Sequence, residues 1–160
     1  MSVLFVAMPF TNLRLEFSDQ SLLAVDFDVD MPATQKPANH LMELASQQLQ
    51  AYSVSAQQAL NLPLSPSGTE FQQRVWAVLR QIPVGSVRTY GDIAAQLNTS
   101  PRAVGNACRA NPVPLFIPCH RVVAKTGIGG FAGQTKGAYL SLKDALLRHE
   151  GVEIPIINPK

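Results

Sequence analysis

Residues 117–123 read Ile-Pro-Cys-His-Arg-Val-Val, an apolar, strand-like run that carries one thiol with an imidazole beside it. The chain has two cysteines, Cys108 and Cys119, and three histidines, of which His120 follows Cys119 directly. A polar pair in so apolar a stretch is unfavourable to bury unless hydrogen bonding or chemistry requires it. A lone free Cys reads as a small core residue. With His120 and Arg121 adjoining, Cys119 reads instead as a nucleophile, because the thiolate is the reactive form and a nearby base or positive charge promotes it. Adjacent side chains on an extended chain point to opposite faces. His120 therefore reaches the thiol only through a kink or a bridging water. No metal site is expected, since Cys108, Cys119 and His120 lack the paired ligand spacing of structural zinc.

Size and composition bound what positions this pair. A chain of 160 residues forms one compact domain or two small ones, with enough length to bury a core. A hydrophobic content of 46% and a charged content of 15% fit a globular protein rather than a disordered one. No apolar run approaches the roughly 20 residues that span a bilayer. The run Val3–Phe10 is short and lacks a basic leader, so no secretory signal is expected. Two cysteines could form one disulfide, but without a secretory signal two free thiols in a reducing cytoplasm are the expectation. Charge is divided unevenly: residues 1–69 hold two basic and six acidic side chains, residues 70–151 ten basic and four acidic. A basic second half suits a polyanionic partner.

The first 30 residues read as three short strands, Val3–Met8, Leu13–Phe17 and Leu22–Phe27, separated by turn residues. A Pro-punctuated loop leads to Asn39, a candidate cap for a helix with Leu41, Leu44, Leu49 and Tyr52 near helical spacing. The segment Asn61-Leu-Pro-Leu-Ser-Pro-Ser-Gly68 has linker composition and marks a domain boundary. Beyond it, Phe71, Val75, Val78 and Leu79 trace an amphipathic helix, with Phe71 and Trp76 as core or pocket wall and Pro83 as its stop.

Two short helical patterns follow, Thr89–Leu97 and Pro101–Ala110, the second with Ser100 as N-cap and Pro101 at its first position. Joined by Asn98-Thr99-Ser100, they form a helix-turn-helix candidate. Val104 and Cys108 share the inward face of the second helix, while Ala103, Gly105, Ala107 and Ala110 leave much of the rest nearly bare. Gly inside a helix costs about 1 kcal/mol relative to Ala, so Gly105 implies a close approach from outside. Arg102 and Arg109 flank this surface. A slim helix ending in guanidinium groups fits the narrow minor groove better than a major-groove reading role, which needs several base-reading side chains.

From about Phe71 to Gly151 the chain resembles the O6-alkylguanine-DNA alkyltransferases, also called methylated-DNA–protein-cysteine methyltransferases. The stretches that carry the resemblance are Thr89-Tyr90-Gly91-Asp92-Ile93-Ala94, Arg102-Ala103-Val104-Gly105-Asn106, the run Asn111-Pro112 through Pro118-Cys119-His120-Arg121-Val122-Val123, and Leu146-Leu147-Arg148-His149-Glu150-Gly151. The fold expected is α+β: a small N-terminal α/β domain with an antiparallel sheet over residues 1–64, then a mostly helical, winged-helix-like helix-turn-helix domain over 65–160 that binds DNA and accepts the alkyl group.

The resemblance implies direct-reversal DNA repair, in which Cys119 takes the alkyl group from O6-alkylguanine, with O4-alkylthymine as a second candidate lesion, in a nucleotide flipped out of the duplex. It implies that His120 draws the thiol proton through a water, that Glu150 holds the imidazole, and that Asn111 supports the site, following nucleophile–base–orienter logic. Arg102 enters the duplex in place of the extruded base, and Tyr90 crowds the 3′ phosphate and meets the flipped base. The resemblance further implies that Ala103, Arg109 and Lys125 complete the DNA contacts and that Tyr90, Val122, Ala132 and Phe71 line the pocket. No cofactor is implied, nor any residue to regenerate the thiol, so one turnover consumes the protein, which is expected to act as a monomer. The chain departs from the common family pattern by several extra residues around Gln134 to Leu142, and Ala132 stands where some members carry Ser.

Three rival functions fit these residues less well. A non-catalytic lesion binder of the same fold would lack the nucleophile, which Cys119 supplies. A sequence-specific winged-helix regulator would carry more base-reading side chains on its second helix. A thiol hydrolase would place Cys and His far apart in sequence and leave the helix-turn-helix without a purpose.

Overall fold

A computed structural model of the chain describes residues 2–127, 129 and 138–153, with the side chains of 138–140 outside the description. The chain divides into two compact units, Met1–Ser67 with Pro112–Phe116, and Gly68–Asn111 with Ile117–Lys160. The division thus falls at 67/68 rather than 64/65, and a five-residue segment from the second half of the sequence belongs to the first unit. That segment is apolar and buried at Val113, Leu115 and Phe116, and Pro112 O accepts a 2.8 Å hydrogen bond from Val25 N.

In the first unit, β1 (Ser2–Ala7), β2 (Asn12–Phe17) and β3 (Leu22–Phe27) form an antiparallel sheet in that order. The register opposes Leu4 to Leu15 and Leu15 to Val25. Period-two alternation thereby sends Leu4, Val6, Leu13, Leu15, Phe17, Val25 and Phe27 to one buried face. Helix α1 (His40–Val54) starts where Asn39 Oδ1 accepts from Met42 N at 2.9 Å. Its buried stripe is Met42, Ala45, Leu49 and Tyr52. Leu41 and Leu44 are half-buried flanks, because the apolar arc is centred one residue later than the leucine spacing suggests.

In the second unit, α2 (Glu70–Leu79) opens with a capping box in which Thr69 and Gln72 satisfy one another's backbone donors, and it buries Val75, Trp76, Val78 and Leu79. Its last helical residue precedes Pro83 by a turn, since the residue before proline disfavours the α region. β4 (Arg88–Thr89) runs straight into α3 (Tyr90–Leu97), capped by a second box of Thr89 and Asp92. Asn98 closes α3 in the left-handed conformation at φ 55°, and α4 (Pro101–Arg109) follows with Ser100 as its cap. A 3₁₀ turn at Cys119–Arg121 leads to β5 (Val122–Val123), and α5 (Ala138–His149) completes the described elements.

The run 117–123 is therefore not a strand throughout. Within it only Val122–Val123 forms a strand, paired in parallel with Arg88–Thr89. In this two-residue parallel ladder the Cys119 turn leads into β5 while Tyr90 follows β4, so the two, 29 positions apart in sequence, adjoin opposite ends of a pairing only two residues long. Among the described residues no helix is long and apolar enough to cross a membrane.

Candidate active site

The turn that presents Cys119 is built by proline. Pro118 has φ −79° and ψ 66°, the centre of an inverse γ-turn, and Cys119 N donates to Ile117 O at 2.7 Å across it. The pyrrolidine ring pre-sets that φ. Arg121 N then donates to Pro118 O at 3.0 Å, and Val122 N to Cys119 O, winding the 3₁₀ turn. The backbone at Cys119–Arg121 is therefore kinked and not extended. Cys119 keeps 5% of its surface exposed, and His120 none.

Glu150 reaches the turn from the end of α5. Gly151 N bonds Arg148 O at 3.0 Å and Val152 N bonds Leu147 O at 2.8 Å, with Gly151 at φ 84°, the bonding of a Schellman motif. Val152 and Leu147 pack with Val123 of β5 as the motif's apolar contact. Helix end and acceptor segment are thus joined by packing beside the polar site. Glu150 Oε2 lies 2.8 Å from His120 Nε2 with both side chains fully buried. Arg121 donates from Nε to Oε1 at 2.8 Å and from Nη2 to Oε2 at 3.0 Å.

Protonation states follow from these contacts. Burial alone would raise Glu150, but the hydrogen bonds and charges of His120 and Arg121 outweigh it and hold the carboxyl well below the usual range. Burial depresses His120, which Glu150 only partly offsets, so the imidazole is neutral. An ionised Glu150 accepts the Nε2 proton, which assigns the free lone pair to Nδ1. Nδ1 has no hydrogen-bond partner among the described residues. A buried imidazole nitrogen with a free lone pair, next in sequence to a thiol, is equipped to take a proton.

Burial pushes the Cys119 thiol up, opposed by a hydrogen bond from the Asn111 side chain and by the Lys143 charge. Asn111 also donates from Nδ2 to Ile117 O at 2.9 Å, and its N–H caps the end of α4 through Cys108 O. It bridges α4 to the Cys119 turn. Cys108 is buried on the inner side of α4, and burial raises its thiol as well, so it remains protonated. Among the described residues no group of three His, Cys, Asp or Glu side chains could hold a metal ion.

The remaining candidates divide between rim and interior. Tyr90 is half-buried at the head of α3, its phenol pushed above the ordinary range by burial. Phe71 is half-buried in the first turn of α2, and Val122 is fully buried. Arg102, Arg109 and Lys125 are exposed, Ala103 is half-buried, and Ala132 lies outside the described residues, as do residues 134–137 of the extra segment. On α4 the exposed arc comprises Arg102, Asn106, Arg109 and Ala110, bordered by Ala103 and Gly105. Ala107 is not part of it: it is buried, and its carbonyl accepts Trp76 Nε1 at 2.8 Å.

Sequence reasoning overlooked three side chains. Asn106 sits between the two arginines on the open arc. In the sequence Arg121 reads as a charged neighbour of Cys119, whereas in the fold it clamps Glu150. Lys143 is fully buried with Nζ 2.7 Å from Val122 O. Its signal was faint, a lysine on the apolar side of an amphipathic pattern between Leu142 and Leu146.

The family model described as 6-O-methylguanine DNA methyltransferase, DNA binding domain, matches residues 70–152. The constitutive methylated-DNA–protein-cysteine methyltransferase of Bacillus subtilis is 42% identical over 112 residues, 68% of each chain. That of Methanosarcina acetivorans is 35% identical over 150 residues, covering 89% of this chain and 94% of the relative. Among solved structures, the O6-methylguanine methyltransferase of Mycobacterium tuberculosis superposes with a TM-score of 0.73 at 31% identity over 93% of each chain. A structure of the M. tuberculosis protein OGT in complex with DNA superposes with a TM-score of 0.69 at 31% identity, over 91% of this chain and 90% of that one.

Proposed function

The chain belongs to the 6-O-methylguanine DNA methyltransferase family, and we propose that it repairs O6-alkylguanine in DNA by transferring the alkyl group irreversibly to Cys119. The observation that carries this reading is the buried His120–Glu150 pair at 2.8 Å, next in sequence to Cys119, which leaves the lone pair of the imidazole on Nδ1. The relatives are named for transfer from methylated DNA to a protein cysteine, and one related structure holds DNA.

In this reading the lesion's nucleotide rotates out of the duplex, an extrusion that costs a few kcal/mol and is eased by the lesion's weakened pairing. Arg102 fills the gap in the stack from the minor-groove side, Ala103 lets α4 sit close, and Arg109 and Lys125 meet phosphates. Tyr90, Phe71, Val122 and Ala132 bound the pocket. The Cys119 proton passes through a water to His120 Nδ1, and the imidazolium is stabilised by Glu150. The sulfur lone pair forms the S–C bond as the C–O6 bond breaks in line. The electron pair leaves with guanine, which takes up a proton. Asn111 holds the thiol and the turn together. The product is a thioether with no second nucleophile to release it, so each molecule acts once, as a monomer. The reading places the protein in the reducing cytoplasm, where both cysteines stay free thiols.

The test is mass spectrometry after incubation with methylated duplex DNA. One methyl group is expected per protein molecule, on Cys119, and none on Cys119→Ala. Turnover of many lesions per molecule, or methyl found elsewhere, would refute the assignment.

A further inference from the structure

Lys143 is fully buried, although lysine is among the residues least often found inside. It lies on α5 seven positions before Glu150, so the two share a side of the helix two turns apart. Its Nζ donates to Val122 O at 2.7 Å and stands 5.8 Å from the centroid of the Tyr90 ring, within cation–π range. Val122 in turn closes the 3₁₀ turn through its N–H to Cys119 O. One ammonium therefore joins the turn that carries the acceptor to the residue that opens α3.

Its charge and that of the thiol are linked. Burial lowers Lys143 to about 8, and the anionic forms of Cys119 and Cys108 pull it back up. Reciprocally, the Lys143 charge lowers Cys119. The other titratable groups on the elements around the turn are differently engaged. Arg121 and Glu150 neutralise one another in their two-point contact, and His120 lies against Glu150. Tyr90 from α3 and Cys108 from α4 are held protonated by burial.

We propose that Lys143 is a positioning residue for alkyl transfer, its ammonium fixing the Val122 end of the acceptor turn and serving as counter-charge to the Cys119 thiolate. No bond to Lys143 forms or breaks: the thiol proton goes to His120, and Lys143 keeps its own. This rests on the reading of Cys119 as the acceptor.

The test is the pH dependence of Cys119 alkylation by iodoacetamide in the absence of DNA, read by peptide mass spectrometry with Cys108 as internal comparison. Lys143→Met is expected to raise the midpoint for Cys119 by about one pH unit or more, the effect of removing a nearby opposite charge. Lys143→Arg restores it towards the parent value. Circular dichroism identifies folded variants, and Lys143→Gln substitutes if Lys143→Met does not fold. The unsubstituted protein gives a second, independent reading. Methylating Cys119 with methyl iodide abolishes the anion, so the Lys143 ammonium, followed by NMR of labelled lysine, should titrate at lower pH. An unmoved Cys119 midpoint in a folded charge-removing variant overturns the proposal, as does an unmoved Lys143 titration after methylation. Failure of the repair reading looks different: the parent protein takes no methyl group from methylated DNA, whatever the midpoints.

Discussion

Arg121 grips Glu150 through both carboxylate oxygens, Nε at 2.8 Å from Oε1 and Nη2 at 3.0 Å from Oε2, while its Nη1 donates to Ile82 O at 2.7 Å. The carboxylate that orients His120 is thereby fixed from a second side by a planar fork that also anchors to the segment after α2. Bidentate geometry of this kind adds direction as well as attraction.

Removing one member of a buried, hydrogen-bonded ion pair leaves the other charge uncompensated. Arg121→Met is therefore expected to lower unfolding free energy by about 3–5 kcal/mol, measured by urea denaturation. A loss below about 1 kcal/mol, the scale of an exposed pair, would mean that the contact does not hold the site together. Arg121→Lys recovers little, because a point charge cannot reproduce the fork.

Acid should unfold the protein in two windows. The folded-state pKa of Glu150 is held below its ordinary value of 4.5, so the unfolded chain binds its proton first. The stabilisation is full above 4.5 and is lost as pH falls from there towards the depressed folded value. His120 is depressed below 6.5 by burial, so it too favours the fold at higher pH and withdraws that support as pH drops below 6.5. Stability measured against pH should fall below 6.5 and more steeply below 4.5. In Glu150→Gln the lower window should flatten. A parent and a Glu150→Gln curve of equal slope below 4.5 would contradict the assigned protonation of the pair.

Arg102 is exposed at the start of α4, whereas His120 and Glu150 are buried. Arg102→Ala should slow transfer from methylated duplex by about tenfold to a hundredfold, a fraction of the few kcal/mol that extrusion costs. Reaction with free O6-alkylguanine base should stay near the parent rate. Equal losses on both substrates would place the arginine's effect in the pocket instead of the duplex. Arg109→Ala is expected to reduce the salt slope of duplex binding by about 1.

Much of this site was legible in the sequence because its devices are local. Ser100-Pro101, Thr89 with Asp92, and Asn98 announce the ends of α3 and α4 by their capping chemistry. Pro118 next to Cys119 is a turn signal as well as a motif residue, and reading 117–123 as strand-like weighted its apolar character over proline's fixed φ. What stayed hidden depends on long-range contact. Arg121, 29 positions before Glu150, reads as a solvated charge until the Schellman turn at Gly151 brings the carboxylate back. Lys143 reads likewise until β5 offers it a buried carbonyl. The adherence of Pro112–Phe116 to the first unit has no local signature, since it is decided by a strand-edge donor at Val25.

Gly105 separates what the fold needs from what a partner needs. It lies inside α4, and a Cβ built there would meet only Tyr90 Cε1, at 4.0 Å, an ordinary van der Waals contact. The folded chain thus has room for a methyl group, and glycine in a helix interior costs about 0.5–1 kcal/mol relative to alanine. Gly105→Ala should accordingly raise stability by about that amount in thermal or urea unfolding. If the glycine is there so that a duplex can approach α4 between Arg102 and Arg109, bulk at this position should weaken DNA binding even as it strengthens the helix. Gly105→Leu is expected to bind undamaged duplex about tenfold more weakly, some 1.4 kcal/mol, with Gly105→Ala in between. A destabilised Gly105→Ala would mean that the fold itself requires the glycine. Parent-like duplex binding by Gly105→Leu would move the DNA-facing surface off this arc of α4.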